Sequence, residues 1–279
     1  MILVFGKTGQ VATELRHALP DGVFLGRERA DLSDPGACAA AIRDHAPDAV
    51  INAAAYTAVD RAEQEEALAQ VINGEAPGAM ARACADLGIP FVHISTDYVF
   101  DGQGVTPWTP GDPVAPLGAY GRTKLAGERA VQAAGGAYVI LRTSWVVSAH
   151  GNNFVKTMLR LSETRDALNV VGDQVGGPTP ARDIAAACVK IAQGLRNGAP
   201  SGIHHFAGAP TVSWAEFARA IFQMAGRRVE ITDIPTTDYP TPAARPLNSR
   251  MDGTSLLQDF GITPPDWREG LADILKEIS

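Results

Sequence analysis

Tyr120 and Lys124, in the run Tyr120-Gly121-Arg122-Thr123-Lys124, are the residues whose types and spacing point most directly to chemistry. On a helix, positions i and i+4 lie on one face about a turn apart, so the phenol and the ammonium become neighbours. A lysine held there stabilises a tyrosinate and lowers the phenol's pKa from its reference of about 10. A tyrosine tuned in this way exchanges a proton with a carbonyl or alcohol oxygen near neutral pH. The same spacing also describes an amphipathic tyrosine over a solvated lysine, so the surroundings must decide.

Those surroundings begin at the N-terminus. Met1-Ile2-Leu3-Val4-Phe5 is an unbroken apolar run, the pattern of a strand buried on both faces of a parallel sheet. Gly6-Lys7-Thr8-Gly9-Gln10-Val11-Ala12 follows at once, and Val11 to Leu19 reads as a helix. A strand, a glycine turn and a helix N-terminus together make a phosphate site, because free backbone N–H groups and the helix dipole face the anion. The spacing G-x-x-G-x-x-A is shorter than the common dinucleotide fingerprint, and alanine at the third position still permits close helix–strand packing. A tight connection without a ligand is the competing reading.

The rest of the first half alternates strand and helix. Gly22 to Leu25, Ala49 to Ala53, Phe91 to Ser95 and Ala137 to Leu141 read as strands. Ser33-Asp34-Pro35 opens a helix to about His45, with a capping side chain and a proline in the first turn. The acidic run Glu63-Gln64-Glu65-Glu66 reads as the solvated face of the next helix, and a further helix runs to Leu87, stopped by Gly88 and Pro90. This order predicts an α/β fold, a Rossmann-like doubly wound parallel sheet with right-handed crossovers. The second half has fewer strand candidates: Leu168 to Val171, Gly202 to Phe206 and Val229 to Ile231. Ser213-Trp214-Ala215-Glu216 is a capping box, and the long proline-rich loop from Tyr239 to Pro246 is too long for a mere connector. The predicted division is a dinucleotide-binding domain over 1–148 and a smaller C-terminal substrate-binding lobe over 149–279, with some segments crossing back to the sheet.

Composition narrows the class. The chain has 279 residues, 46% of them hydrophobic, and a formal net charge of −7. That is too apolar for disorder and too acidic to track nucleic acid. Cys38, Cys84 and Cys188 are an odd, unclustered set, read as reduced thiols packed as small hydrophobes. No metal-ligand spacing is present, no apolar stretch is long enough to cross a bilayer, and the start of the chain has no signal-peptide pattern. The expectation is a soluble cytoplasmic protein with no metal, no nucleic-acid partner and no membrane partner.

Parallel sheets bind ligands beyond the carboxyl ends of their strands. The polar residues expected there are Gly6 to Gln10, Arg27, Asn52 to Thr57, Ser95 to Asp97 and Thr143 to Trp145, with the Tyr120 helix close by. A phosphate turn, the Thr96 hydroxyl, a phenol and a lysine at one edge suit nicotinamide-dependent carbonyl reduction.

These runs also resemble a family. Gly6 to Val11, Asn52 to Asp60, Ser95-Thr96-Asp97-Tyr98-Val99-Phe100, Tyr120 to Glu128, Arg142-Thr143-Ser144-Trp145 and Arg245-Pro246-Leu247-Asn248-Ser249 are similar to the dTDP-4-dehydrorhamnose reductases, which are extended short-chain dehydrogenases, and the resemblance covers essentially the whole chain. It implies reduction of the 4-keto group of a dTDP-linked 6-deoxyhexulose by NADPH, with NADH an alternative and a homodimer compatible. It also implies site residues. Tyr120 is the proton donor, Lys124 holds the nicotinamide ribose and lowers the tyrosine pKa, and Thr96 bonds the carbonyl or the phenol. Gly6, Gly9, Gln10 and Val11 match the pyrophosphate turn, and Asp31, Leu32, Ala55, Tyr56 and Thr57 match adenosine- and ribose-side contacts. Thr96, Asp97 and Trp145 match the sugar-nucleotide site, although Trp145 also reads as a half-buried aromatic. Asn153 is a substrate contact or a helix N-cap, and Arg245 is a bidentate diphosphate clamp or a solvated side chain.

Two positions depart from the family pattern. Where some members carry an acid at the end of the second strand, this chain has Arg27, with Arg29 nearby, which favours a 2′-phosphate. Where others carry an acid for a metal-bridged dimer, Arg182 follows Gly177-Pro178-Thr179-Pro180-Ala181. Two other functions stay open. One is a sugar-nucleotide epimerase or dehydratase of the same superfamily. The other is a non-catalytic regulatory subunit of methionine adenosyltransferase, a role that needs no intact Thr96, Tyr120 and Lys124.

Overall fold

The apolar runs of the first half form five strands, β1 (Ile2–Phe5), β2 (Val23–Leu25), β3 (Ala49–Asn52), β4 (Phe91–Thr96) and β5 (Tyr138–Thr143). The structure is a computed structural model that describes residues 1–278, so Ser279, the last residue of the expected second lobe, lies outside the described residues. A sixth strand, Gly202–His205, pairs with β5, and the sheet runs Gly202–His205, β5, β4, β3, β1, β2. Every neighbouring pair is parallel. The chain leaves β1 for β2 on one side and returns to β3 on the other, which opens a crevice at the carboxyl edge.

Strand alternation explains the two layers. Ile2, Val4, Ile51, Val92 and Leu141 face Val11 and Leu15 of the helix Gln10–Ala18 and Ile184, Cys188 and Ile191 of the helix Ala181–Arg196. Leu3, Phe5, Val50, Phe91 and Ile140 face Cys38 and Ile42 of the helix Pro35–His45 and Met80 and Cys84 of the helix Ala76–Leu87. Helices on both faces make the sheet doubly wound, as the sequence predicts. Burial pushes the thiols of Cys38, Cys84 and Cys188 up to about 12, so all three pack as inert hydrophobes.

A third core joins Val155 and Met158, Leu168 and Val170, Phe217 and Phe222, and Leu271 and Ile274. It lies among the helices Phe154–Leu161, Trp214–Met224 and Trp267–Ile278 and the parallel pair Ala167–Val171 with Glu230–Ile234. The capping box forms as expected: Glu216 N–H donates to Ser213 Oγ, and Ser213 N–H donates to the Glu216 carboxylate.

The acidic run of residues 63–66 is solvent-exposed at Glu63, Gln64 and Glu66, as expected, but it lies mostly in the turn between two short helices, and its carboxylates are paired. Glu63 Oε1 accepts the Ala119 N–H at 2.8 Å, at the start of the helix Ala119–Ala134 that carries Tyr120. Glu65 accepts from Tyr56 and Arg61, and Glu66 takes a bidentate pair from Arg122 at 2.9 Å. All but the Arg61 contact are tertiary, which local patterning does not reveal. Beyond this run the chain is helical with a π turn at Val71–Glu75 set between Glu66–Gln70 and Ala76–Leu87.

Candidate active site

The carboxyl edge of the sheet borders a cleft of about 820 Å³. The first wall is the glycine turn. Gly6, Gly9, Gln10 and Val11 line it, and Gly9 caps the helix Gln10–Ala18 with no side-chain bond to the first N–H groups. An uncapped helix start with a glycine cradle is an anion site. Arg27, Asp31 and Leu32 line the rim beyond β2, and Ala55, Tyr56 and Thr57 line the loop after β3. Arg27 is exposed, and Glu28 beside it pairs with Lys7 at 2.9 Å. An acid therefore does stand at the end of β2, and it is matched to a lysine of the glycine turn.

Asn73, in the π turn, shapes the loop after β3, a role the sequence reading missed. Its Oδ1 accepts the Tyr56 N–H at 2.8 Å, and its Nδ2 donates to Tyr56 O at 3.1 Å and to Thr123 Oγ1 at 3.2 Å. One buried amide thus ties the cofactor-side loop to the Tyr120 helix. The only sequence signal would have been an asparagine in a helical stretch, between Ile72 and Gly74. The Tyr120 helix approaches its neighbours at two glycines: a Cβ on Gly121 would lie 2.1 Å from Tyr98 O, and one on Gly127 would lie 2.0 Å from Asn73 O.

Thr96, Asp97, Tyr120, Lys124 and Trp145 line the opposite wall. Tyr120 lies beside the Thr96 hydroxyl, and its ring stands edge-on to Tyr98, 5.4 Å away. Burial pushes the Tyr120 phenol up to about 12; the Thr96 hydroxyl opposes that rise and the Asp97 charge adds to it. The expected lowering by Lys124 is corrected here. Its Nζ turns to Ile94 O at 2.7 Å and to His93 Nε2 at 3.3 Å, and burial lowers the ammonium to about 8, against the Glu128 charge. Burial likewise raises Asp97 to about 6, although Ser249 and Thr96 donate to its carboxylate. Thr143 Oγ1, also in the cleft lining, is buried with no partner among the described residues. A buried polar atom left open in the same cleft as the glycine turn, three strands away, fits a site that takes a long polar ligand.

Trp145 has a positive φ of 49° and stacks on Trp214, with ring centroids 3.6 Å apart. Two expected substrate contacts do not reach the cleft. Asn153 caps the helix Phe154–Leu161, and its Nδ2 donates to Gln10 Oε1 at 2.9 Å and Ser148 O at 2.7 Å, so it ties the glycine turn to the second half of the chain. Arg245 places its fork on Asp60, at 3.1 and 3.0 Å, because a nearby carboxylate satisfies both N–H groups. Arg182 pairs with Asp273 at 2.7 Å. The expectation of no ligand cluster also needs correcting: Glu14, His17 and His150 bring their ligand atoms within 4.8 Å of one another, although none of them lines the cleft. Glu14 and His17 lie on one helix, and folding adds His150.

A phosphate turn, a dinucleotide-sized cleft and a Thr–Tyr–Lys set at one sheet edge define an NAD(P)H-dependent oxidoreductase of the Rossmann class. The family model described as the RmlD substrate binding domain matches residues 1–279. A dTDP-4-dehydrorhamnose reductase of Sinorhizobium fredii is 46% identical over 96% of this chain and 94% of its own length. The Escherichia coli K12 enzyme of the same description is 42% identical over 99% and 97%. Among solved structures, a Bacillus anthracis dTDP-4-dehydrorhamnose reductase in complex with NADP superposes with a TM-score of 0.93 at 34% identity, covering 99% of this chain and 98% of that one. The chain belongs to the dTDP-4-dehydrorhamnose reductase family.

Proposed function

We propose that this protein reduces the 4-keto group of dTDP-4-dehydro-6-deoxy-L-mannose to give dTDP-L-rhamnose, with NADPH as reductant. The observation that carries this reading is the convergence of Thr96, Tyr120 and Lys124 on the cleft that the glycine turn opens. Relatives described as dTDP-4-dehydrorhamnose reductase over nearly the whole chain, one of them solved with NADP, support it. When bound, the nicotinamide cofactor supplies the hydride.

The chain's own residues do the rest. The uncapped helix start behind Gly9 and the N–H groups of the turn hold the diphosphate. Arg27 meets the 2′-phosphate, while Asp31, Leu32, Ala55, Tyr56 and Thr57 hold the adenosine and ribose. Lys124 holds the nicotinamide ribose. Tyr120 gives its proton to the C4 oxygen, and the Thr96 hydroxyl keeps the phenol aimed at it. A phenol raised to about 12 holds its proton until an alkoxide demands it. Asp97 and Trp145 border the sugar. Residues 1–148 form most of the cofactor domain and 149–278 mainly the substrate lobe, with Ala181–Arg196 and Gly202–His205 crossing back to the sheet. The reading includes a cytoplasmic location and is compatible with a homodimer. Among the described residues no helix is long and apolar enough to cross a membrane.

The test is NADPH oxidation measured across dTDP- and GDP-linked 4-keto-6-deoxyhexoses. The dTDP-linked L-lyxo sugar should be reduced with one NADPH consumed per product. Turnover with no net NADPH oxidation would instead identify an epimerase.

A further inference from the structure

Behind the cleft, a chain of three buried side chains crosses from β3 through β4 to the Tyr120 helix. Asn52, His93 and Lys124 are 1%, 0% and 2% exposed. Asn52 Oδ1 accepts the Ala54 N–H at 3.1 Å. A backbone N–H only donates, so the amide orientation is settled and Asn52 Nδ2 is the atom facing His93 Nδ1 at 3.1 Å. His93 Nδ1 must then accept. Burial holds the imidazole well below its usual pKa, so it is neutral and its single proton sits on Nε2.

That N–H faces Lys124 Nζ at 3.3 Å, while Nζ donates to Ile94 O at 2.7 Å. An ammonium has three donors and no acceptor, so an ammonium would meet the imidazole N–H donor to donor. The contact becomes a hydrogen bond when Nζ offers a lone pair. Among the described residues, the carboxylates near Nζ are already engaged. Glu128, one turn along the same helix, accepts two bonds from Arg142 and one from Ser95. Asp97 beyond β4 is bonded to Thr96 and Ser249, and Tyr120 is a half-buried phenol whose raised pKa keeps it protonated.

We propose that His93 is a positioning residue that favours the neutral amine of Lys124 in the free protein, so that binding of the dinucleotide draws a proton from solvent to Nζ. The inference rests on the cofactor reading above. The balance is simple: a solvent proton joins the Nζ lone pair, and the polyanionic ligand in the cleft favours the resulting ammonium. The imidazole then loses its hydrogen bond and Lys124 turns toward the cleft, with a charge that opposes the rise in the Tyr120 pKa. The charge on the lysine thus rises when a cofactor binds.

Two measurements test this. In the free protein, ¹⁵N spectra of labelled histidines should show His93 neutral and protonated at Nε2; a proton on Nδ1 overturns the assignment whether or not NADPH binds. With NADPH at about pH 8.5, calorimetry in two buffers of different ionisation enthalpy should show uptake of roughly half a proton or more per site, since Lys124 titrates near 8 in the free protein. His93→Phe keeps a ring beside Phe91 and removes the N–H, so uptake should fall at least twofold while binding persists. His93→Gln, whose oxygen accepts from an ammonium, should show the same fall and serves if the phenylalanine variant does not fold. No uptake in the unmutated protein, or equal uptake in both variants, overturns the proposal. Absence of NADPH binding overturns the cofactor reading and the uptake together, and the histidine spectrum distinguishes that case from a wrong tautomer.

Discussion

Glu128 and Arg142 form a bidentate ion pair in which both side chains are almost wholly buried: Arg142 Nε donates to Oε1 at 2.9 Å and Nη2 to Oε2 at 2.6 Å. The pair bolts the Tyr120 helix to β5. Ser95 adds a bond from β4, the guanidinium lies 5.0 Å from the Phe100 ring, and its Nη1 meets His205 at 3.4 Å. Three strands and the catalytic helix therefore share one charge pair, and helix position depends on it.

Removing one partner should be costly. Glu128→Ala leaves the Arg142 charge buried and unpaired, a loss on the order of 3–5 kcal/mol. The double variant Glu128→Leu with Arg142→Met should recover most of that stability. Urea unfolding of the three proteins checks the order, and a Glu128→Ala protein as stable as the parent would show that the pair anchors nothing.

Tyr120→Phe removes the phenol that donates the proton and leaves the glycine turn intact. Loss of a general acid costs roughly 10²-fold or more in kcat. NADPH affinity should change little. Near-full turnover would shift the proton donor to another residue of the cleft.

Arg27 is the exposed cation of the cleft rim beyond β2. A charge-assisted bond to a 2′-phosphate contributes about 1.5–3 kcal/mol, so NADPH should be preferred over NADH by about tenfold or more in kcat/KM. Arg27→Ala should erase most of that preference, leaving NADH turnover nearly unchanged. Equal kcat/KM for both cofactors in the unmutated protein would mean that the arginine faces solvent.

Asp97 carries a pH signature. Burial raises its carboxyl from 3.8 to about 6. A carboxyl raised on folding contributes stability that is fully present below about pH 4 and lost as pH rises through about 6. Asp97→Asn abolishes this titration, so it should gain stability relative to the parent across that window, by roughly 1–3 kcal/mol. Unfolding curves for both proteins at about pH 4.5 and about pH 7 provide the comparison, and parallel stability at the two pH values would place the Asp97 pKa near its ordinary value.

Short-range pattern was enough for much of this protein. Apolar runs and glycine breaks located all six strands of the sheet, including Gly202–His205. Ser213 with Glu216 announced a helix start, and the four-residue step from Tyr120 to Lys124 placed two chemical groups on one helix face. These are contacts between residues a few positions apart, where backbone geometry alone sets distance. Arg245 with Asp60, Asn153 with Gln10, Glu63 with Ala119 and Glu128 with Arg142 were not legible, and neither was the turn of Lys124 onto His93. A carboxylate or guanidinium satisfies whichever partner folding brings within about 3 Å, and residues far apart in the chain leave no periodicity to read. The sequence by itself determined the sheet and which residues reach its carboxyl edge. Only the tertiary structure decided their partners, because burial removes water and makes each polar group depend on the neighbours the fold supplies.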